Sequence, residues 1–165
     1  MNIQTPFSTN ELLPPTSEPV AARVETVVTA KTTVCVVDDD PAVRHAICSM
    51  LERGGYATAQ ASDGKCGLSE IERSAAAVAV LDIIMPDHEG IETIALVKER
   101  FPNVKILAIS GGGAIGAETY LTMARGMGAD ATLAKPFRAD VLLPLIAELL
   151  QRAREPHQVA APARP

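Results

Sequence analysis

Apolar and polar positions along the chain follow two alternating patterns, one typical of strands and one typical of helices. Four runs rich in β-branched or small apolar residues, and one less apolar run that suits a sheet edge, predict strands at residues 33–37, 56–60, 75–81, 104–110 and 131–134. Apolar residues at helical spacing predict helices at residues 41–53, 63–73, 91–101, 116–125 and 139–153. This strict alternation indicates a parallel sheet with helices on both faces.

The alternation therefore predicts an α/β fold, a doubly wound parallel sheet of five strands with helices on both faces. We take its strands to follow the flavodoxin-like order 2-1-3-4-5, in which the first and third strands are neighbours and flank the switch point. We expect residues 32–153 to form this one domain, with no second domain to serve as an output device. Residues 1–31 are rich in Pro, Ser, Thr and Glu and have no sustained period, so we expect a disordered N-terminal arm. Residues 154–165 are expected to form a disordered tail.

Residues with special backbone preferences mark the expected helix ends. Asp40 followed by Pro41 is typical of a helix start, and Gly54 with Gly55 is typical of a helix end. Pro144 lies beyond the first turn of the last predicted helix. We therefore expect Pro144 to bend that helix or to move its start later.

Composition narrows the class of protein. The 165-residue chain is 47% apolar but only 3% aromatic, so its core must be built from Val, Ile, Leu and Ala. A net charge of −5 argues against nucleic-acid binding and against a basic membrane-binding patch. No stretch has the pattern of a signal peptide or a membrane span, and Cys35, Cys48 and Cys66 lack metal-ligand or redox spacing. We expect a cytoplasmic protein in which the cysteines are small buried apolar residues.

Unusual polar residues stand at the carboxyl ends of the predicted strands. Asp38 and Asp39 follow the first strand, Asp82 ends the third, Ser110 follows the fourth and Lys135 follows the fifth. Each could be an ordinary turn residue or helix cap, but parallel strands bring their carboxyl ends to one edge, where ligands bind in such sheets. Two carboxylates about 5 Å apart repel by roughly 3 kcal/mol at an effective dielectric near 20. The predicted pocket therefore calls for a cation, and oxygen ligands suit Mg²⁺.

The remaining polar groups fit phosphoryl chemistry. Lys135 supplies a fixed positive charge and Ser110 a hydroxyl donor. A divalent cation, an ammonium and a hydroxyl around one carboxylate are the parts needed to hold a phosphoryl group while Asp82 attacks it.

Four motifs contain these residues: Val36-Val37-Asp38-Asp39-Asp40-Pro41; Leu81-Asp82-Ile83-Ile84-Met85-Pro86 with Gly90; Ile109-Ser110-Gly111; and Gly128-Ala129-Asp130 leading to Lys135-Pro136-Phe137. Through these motifs, the chain from about residue 32 to residue 153 resembles a receiver domain of the two-component response regulators, of the stand-alone single-domain type. The resemblance implies that Asp82 accepts a phosphoryl group from a phosphohistidine. It also implies Mg²⁺ held by Asp39, Asp82 and the backbone carbonyl of Ile84, with Asp38 acting through water.

The resemblance further implies that Lys135 pairs with the phosphoryl oxygens, that Ser110 moves toward them, and that the peptide between Lys135 and Pro136 is cis. Two features depart from the family's pattern. Thr132 stands where the family usually has an aromatic residue, so the signal is expected to be transmitted differently or weakly there. Three glycines at 111–113 are expected to let the loop sample more conformations before phosphorylation, with ordering of the segment from Ser110 to residue 116 afterwards.

The predicted function is that of a single-domain response regulator in a two-component phosphorelay. Its donor would be a sensor histidine kinase or a histidine phosphotransfer protein. The phosphorylated form would bind an unknown downstream protein or pass the phosphoryl group on, with homodimerisation left open. We do not expect an enzyme in the usual sense, because the chemistry is limited to self-catalysed phosphoryl acceptance and autodephosphorylation.

Two other classes of function share parts of this pattern. One is a receiver-fold interaction module that acts without phosphorylation, against which the presence of all five pocket residues argues. The other is a hydrolase with an aspartyl-phosphate intermediate, which would need an acidic residue two positions after Asp82 and a substrate cap. Ile84 occupies that position and is apolar, which also predicts a long-lived phosphoryl group.

Overall fold

A computed structural model of the chain describes residues 31–86, 89–112 and 116–154. The expected N-terminal arm up to residue 30 and the expected tail beyond residue 154 lie outside the described residues. The strands are β1 Thr33–Val37, β2 Ala57–Ala61, β3 Val78–Asp82, β4 Lys105–Ser110 and β5 Ala131–Ala134. The helices are α1 Pro41–Arg53, α2 Gly64–Ser74, α3 Glu89–Arg100, α4 Ala117–Gly126 and α5 Ala139–Arg154.

The strands form one parallel sheet in the order β2-β1-β3-β4-β5, which confirms the predicted fold class and strand order. The register pairs Val37 with Leu81, and Ser110 with Ala134. The carboxyl ends of β1, β3, β4 and β5 are thereby aligned along one edge.

Two hydrophobic layers cover the two faces of this sheet. Alternate residues of β1 point into different layers, because successive side chains of a strand point to opposite faces. Val37 packs in the layer that contains Ile94 of α3, whereas Val36 packs with Leu51 of α1 and Leu142 of α5. Strands buried on both faces explain why their sequences are continuous apolar runs. Within the described part of the chain, no helix combines the length and the apolar character that crossing a lipid bilayer requires.

The start of α1 follows the predicted signal. The Asp40 side chain accepts hydrogen bonds from the backbone N–H groups of Ala42 and Val43, at 2.8 and 3.4 Å, and Pro41 is the first helical residue. This cap places α1 directly after the two acidic residues that follow β1.

Two expectations were wrong, and one of two alternatives is excluded. β3 begins at Val78 and not at residue 75, because Ala75 adopts a left-handed conformation that ends α2 (φ 48°, ψ 45°). α5 already begins at Ala139 and contains Pro144, so the later start is excluded. Burial of the α5 side chains in the core outweighs the one backbone hydrogen bond that proline removes. Cys66 is exposed, since the inward face of α2 is formed by other residues, whereas Cys35 and Cys48 are buried as expected.

A polar cluster joins elements at the edge opposite the carboxyl ends. The Asp130 carboxylate accepts hydrogen bonds from Lys98 Nζ at 2.6 Å and from the Ile106 N–H at 2.7 Å. Lys105 Nζ lies 3.8 Å from the other carboxylate oxygen of Asp130, Oδ1. Asp130 therefore connects α3, β4 and the segment before β5.

Candidate functional site

Three carboxylates meet at the carboxyl ends of β1 and β3. Oxygen atoms of Asp38, Asp39 and Asp82 lie within 4.8 Å of one another. Asp38 is fully buried and Asp82 is 5% exposed, whereas Asp39 is exposed. The structure thus brings together the three side chains that the sequence nominated as metal ligands, and one of them is open to solvent. A set of carboxylate oxygens of this kind fits a hard divalent cation such as Mg²⁺.

Lys135, which follows β5, reaches into this cluster. Its Nζ lies 2.7 Å from Asp38 Oδ2 and 2.7 Å from Asp82 Oδ2. The peptide bond between Lys135 and Pro136 is cis, as expected, and the Lys135 N–H donates to the Ser110 carbonyl at 2.7 Å. A single ammonium group therefore bridges the two buried carboxylates.

Burial and the neighbouring opposite charge shift the pKa values of Asp38 and Lys135 in opposite directions. Burial raises the pKa of Asp38 above its ordinary value, although Lys135 opposes the rise; the neighbouring Asp82 adds to it. Burial alone would lower the pKa of Lys135, but its hydrogen bonds to Asp38 and Asp82 outweigh burial and raise that pKa. The ammonium is therefore held charged at neutral pH.

The Asp82 side chain is held at both oxygens. Oδ1 accepts a hydrogen bond from the Ile84 N–H at 3.0 Å, and Oδ2 pairs with Lys135. The Ile83 N–H donates to the Ile109 carbonyl at 3.0 Å, which extends the sheet beyond Asp82. Ile84 is half-buried. The carboxylate is thereby fixed in direction at the end of a rigid strand.

α3 approaches the backbone of Asp82 closely. A Cβ atom placed on Gly90 would overlap the carbonyl oxygen of Asp82 and the backbone of Ile83. Only a residue without a side chain fits there. The glycine that follows the Met85-Pro86 turn therefore has a steric role next to the candidate nucleophile.

Ser110 is completely buried at the end of β4. Its hydroxyl oxygen accepts a hydrogen bond from the Gly112 N–H at 3.4 Å, and Gly112 has a φ of +120°, which favours glycine. Residues 113–115, which include part of the expected glycine-rich loop, lie outside the described residues.

Thr132 lies on β5 and is half-buried. Its hydroxyl oxygen lies 2.5 Å from Arg125 Nη2 of α4, and Arg125 Nη1 is 3.8 Å from Glu118. A hydrogen bond between α4 and β5 therefore occupies the position where an aromatic ring is usual.

One residue of the site was missed by reasoning from the sequence. Arg44 of α1 donates from Nη1 to the backbone carbonyl of Asp38 at 2.6 Å. Side chains of a helix point toward its N-terminus, so an arginine in the first turn of a helix that follows an acidic loop is directed at that loop. This geometric signal could have identified Arg44.

These groups together suit nucleophilic attack by a carboxylate on phosphorus. Asp82 supplies the nucleophile, Lys135 supplies a positive charge for phosphoryl oxygens, and Ser110 lies on the neighbouring strand. Asp38 and Asp39 supply the further oxygen ligands that a cation requires.

Comparison with known proteins agrees with this arrangement. The family model for the response regulator receiver domain matches residues 34–147. Response regulator protein FleR of Pseudomonas aeruginosa is 32% identical over 114 residues, which are 69% of this chain and 24% of FleR. Response regulator MprA of Mycobacterium leprae is 31% identical over 121 residues, 73% of this chain and 52% of MprA. The chain thus spans about a quarter to a half of the length of these curated relatives.

Solved structures show the same fold. A CheY-like response regulator receiver domain protein from Methanospirillum hungatei is 29% identical with a TM-score of 0.67, over 74% of this chain and 96% of that one. The receiver domain of NtrX from Brucella abortus is 28% identical with a TM-score of 0.66, over 72% of this chain and 98% of that one. By its sequence match, its fold and the residues at its sheet edge, the chain belongs to the receiver domain family of the response regulators.

Proposed function

We propose that this protein is a phosphorylation switch of a two-component phosphorelay, in which Asp82 accepts a phosphoryl group in the presence of Mg²⁺. The observation that carries the proposal is the position of the Asp82 carboxylate, 2.7 Å from Lys135 Nζ and within a cluster of three carboxylates. The phosphoryl donor would be a phosphohistidine of a sensor histidine kinase or of a histidine phosphotransfer protein.

The donor set of the cluster supports Mg²⁺ as the cation. Asp39, Asp82 and the backbone carbonyl of Ile84 would hold the ion, with Asp38 acting through water. When bound, Mg²⁺ offsets the negative charge of the carboxylates and of the phosphoryl oxygens. Asp38 is buried and Asp39 is exposed to solvent, so the ion would enter and leave the site on the Asp39 side.

The transfer itself uses this chain's own groups. A carboxylate oxygen of Asp82 forms a bond to phosphorus while the bond from phosphorus to the donor's imidazole nitrogen breaks, and the electron pair remains on that nitrogen. Lys135 then exchanges its contact with Asp82 for one with a phosphoryl oxygen. The Ser110 hydroxyl, released from Gly112, donates to another phosphoryl oxygen.

Reversal is by hydrolysis: water attacks the phosphorus of the aspartyl phosphate, the bond from phosphorus to the Asp82 oxygen breaks, and inorganic phosphate leaves while the electron pair restores the carboxylate. The side chain of Ile84, two residues after Asp82, offers no polar group to orient that water. We therefore propose slow autodephosphorylation, and self-catalysed chemistry without turnover of a separate substrate.

An apolar cleft next to Lys135 offers a contact surface for the phosphoryl donor. It has a volume of about 200 Å³, and its lining residues are Val43, Ala46, Ile47, Met50, Lys135, Pro136 and Phe137. A partner that delivers a phosphoryl group must approach the carboxyl edge of the sheet, where this cleft lies beside the candidate site.

We propose further that the protein acts as a stand-alone regulator in the cytoplasm, and that the surface of the receiver domain itself serves as the output. The phosphorylated protein would bind a downstream protein, dimerise or relay the phosphoryl group.

Intact mass spectrometry after incubation with Mg²⁺ and acetyl phosphate tests the proposal. We expect the wild type to gain one phosphoryl group, and Asp82→Ala or addition of a chelator to abolish the gain. Asp140→Ala is the matched control, because Asp140 is an exposed carboxylate of α5 whose partner is Arg138. No gain with acetyl phosphate or with a phosphohistidine donor would contradict the proposal and favour an interaction module that acts without phosphorylation.

A further inference from the structure

Arg44 is anchored at the start of α1 and faces the acidic loop. Its backbone N–H donates to the Asp40 carbonyl at 2.9 Å, the first hydrogen bond of the helix. Its half-buried side chain turns back, and Nη1 lies 2.6 Å from the carbonyl oxygen of Asp38. The helix start therefore fixes the guanidinium relative to the loop.

The Asp38 carbonyl lies where the strand ladder has ended. The last paired residues of β1 and β2 are Val37 and Ala61, and the Asp38 N–H still donates to the Ala61 carbonyl at 3.2 Å. Because β2 stops at Ala61, no further residue of β2 can pair with the Asp38 carbonyl. Arg44 supplies the donor that the sheet does not.

This bond orients the residue that follows. The Asp38 carbonyl and the Asp39 N–H and Cα belong to one rigid trans peptide plane. A partner that holds the carbonyl therefore also fixes the position of the Asp39 Cα, from which the side chain starts. Among the residues that the structure describes, none donates a hydrogen bond to the Asp39 carboxylate. The placement of that exposed carboxylate therefore depends on its backbone.

We propose that Arg44 is a positioning residue of the cation site, which orients Asp39 for Mg²⁺ by holding the carbonyl of Asp38. The inference rests on the proposed function, since it takes Mg²⁺ as the ligand. Groups that orient metal ligands from outside the coordination sphere affect metal affinity by about tenfold or more.

If Arg44 acted through its charge alone, its removal would change the Mg²⁺ affinity in the opposite direction. A guanidinium near three carboxylates repels an incoming cation, so its removal would then strengthen Mg²⁺ binding. A positioning role requires that its removal weaken binding. The direction of the change separates the two roles.

Isothermal titration of the full chain with MgCl₂ tests the proposal on the wild type, Arg44→Ala and Arg53→Ala. Arg53 is the matched control, because it is an exposed arginine in the last turn of the same helix. We expect a dissociation constant about tenfold higher for Arg44→Ala and within about twofold of wild type for Arg53→Ala. In ¹H–¹⁵N spectra without metal, the Asp39 amide should shift in Arg44→Ala while that of Val80, in the core of β3, should not.

Unchanged or tighter Mg²⁺ binding by Arg44→Ala would overturn the proposal, as would equal weakening by Arg53→Ala. If Arg44→Ala does not fold, Arg44→Lys decides: weaker binding with a shifted Asp39 amide supports positioning, and wild-type binding overturns it. A wild type that binds no Mg²⁺ would contradict the proposed function itself, and this inference with it.

Discussion

Lys135 Nζ and Asp82 Oδ2 lie 2.7 Å apart, so the candidate nucleophile is ion-paired before any phosphoryl group arrives. The same ammonium is 2.7 Å from Asp38. Lys135 therefore neutralises two of the three carboxylates of the candidate cation site, and in the proposed reaction it must release Asp82.

Lys135→Ala should separate cation binding from phosphoryl transfer. Removing the ammonium frees two carboxylate oxygens and removes a like charge, so Mg²⁺ should bind about five- to tenfold more tightly. Phosphorylation by acetyl phosphate should become slower, because the phosphoryl oxygens lose their positive partner. Titration calorimetry and a time course of intact mass measure the two effects, with the exposed Lys65→Ala as control. Weaker Mg²⁺ binding by Lys135→Ala would show that the lysine does not compete with the cation.

Asp38→Asn should stabilise the cation-free protein at neutral pH. Burial raises the pKa of Asp38 in the folded state, so folding favours its protonated form. The stability that Asp38 contributes is present below its unfolded pKa, near 4, and is lost as the pH rises through its raised folded pKa. We expect a midpoint of thermal unfolding about 3 °C above wild type at pH 7 and a smaller difference at pH 4.

Asp63→Asn is the control with the opposite sign. Asp63 caps α2, and its hydrogen bond from the Cys66 N–H, at 2.7 Å, lowers its pKa. A lowered pKa contributes stability that is present at neutral pH and is lost as the pH falls through the folded value. Asp63→Asn should therefore lower the unfolding midpoint at pH 7. A destabilised Asp38→Asn at pH 7 would contradict the assigned cost of its buried charge.

Gly90→Ala should destabilise the fold and slow phosphorylation. The added methyl group would overlap the Asp82 carbonyl, so α3 or the end of β3 must move, at a cost of about 1–3 kcal/mol. Gly126→Ala is the matched control, because nothing lies within 4 Å of an added Cβ at the last residue of α4. Urea unfolding of both variants measures the difference, and an equally stable Gly90→Ala would exclude the close approach.

Ile84→Asn should shorten the life of the phosphoryl group several-fold. The amide would supply a polar group near the attacking water, where isoleucine offers none. Loss of the phosphoryl mass after removal of acetyl phosphate measures the rate. Val141→Asn makes the same kind of change on α5, at a residue that is 46% exposed, and should leave the rate unchanged. An unchanged rate in Ile84→Asn would contradict the role given to the apolar side chain.

Asp130→Asn should cost stability without affecting the candidate site. Its carboxylate pairs with Lys98 at 2.6 Å in a partly buried position, so its loss should cost about 1–2 kcal/mol of unfolding free energy. Glu70→Gln removes a carboxylate whose partner Arg73 is largely exposed, and should cost less stability than Asp130→Asn. Phosphorylation rates should match wild type, because Asp130 lies at the opposite edge of the sheet. A slower rate in Asp130→Asn would place this cluster in the switch.

The order of elements followed from the sequence, because buried parallel strands and amphipathic helices have distinct periods. The strand order was taken from the flavodoxin-like class of doubly wound sheets and is confirmed by the observed pairing. The gathering of the three aspartates at one edge followed from the topology alone. The start of β3 did not, because alanines such as Ala75 fit a strand, a helix end or a left-handed turn equally well. The exposure of Cys66 was missed because burial depends on which face of a short helix meets the sheet.

Two contacts of the site required coordinates. Lys135 follows β5 and Asp38 follows β1, and these strands are separated in the sheet by β3 and β4. Their contact therefore depends on how far the lysine side chain extends along the sheet edge. The bond of Arg44 to a backbone carbonyl has no partner side chain that a sequence pattern could reveal. Residue types alone do not specify such distances.

The contact between Lys135 and Asp38 joins residues 97 positions apart in the chain. We expect a contact of this span to form after the intervening strands have paired, since its closure entropy must be offset by the rest of the sheet. A folding intermediate that lacks β5 would carry the acidic residues without the ammonium between them. Under the proposed function, competence for phosphoryl transfer should therefore arise late in folding, and a nascent chain should not react with a phosphoryl donor until the last strand has docked.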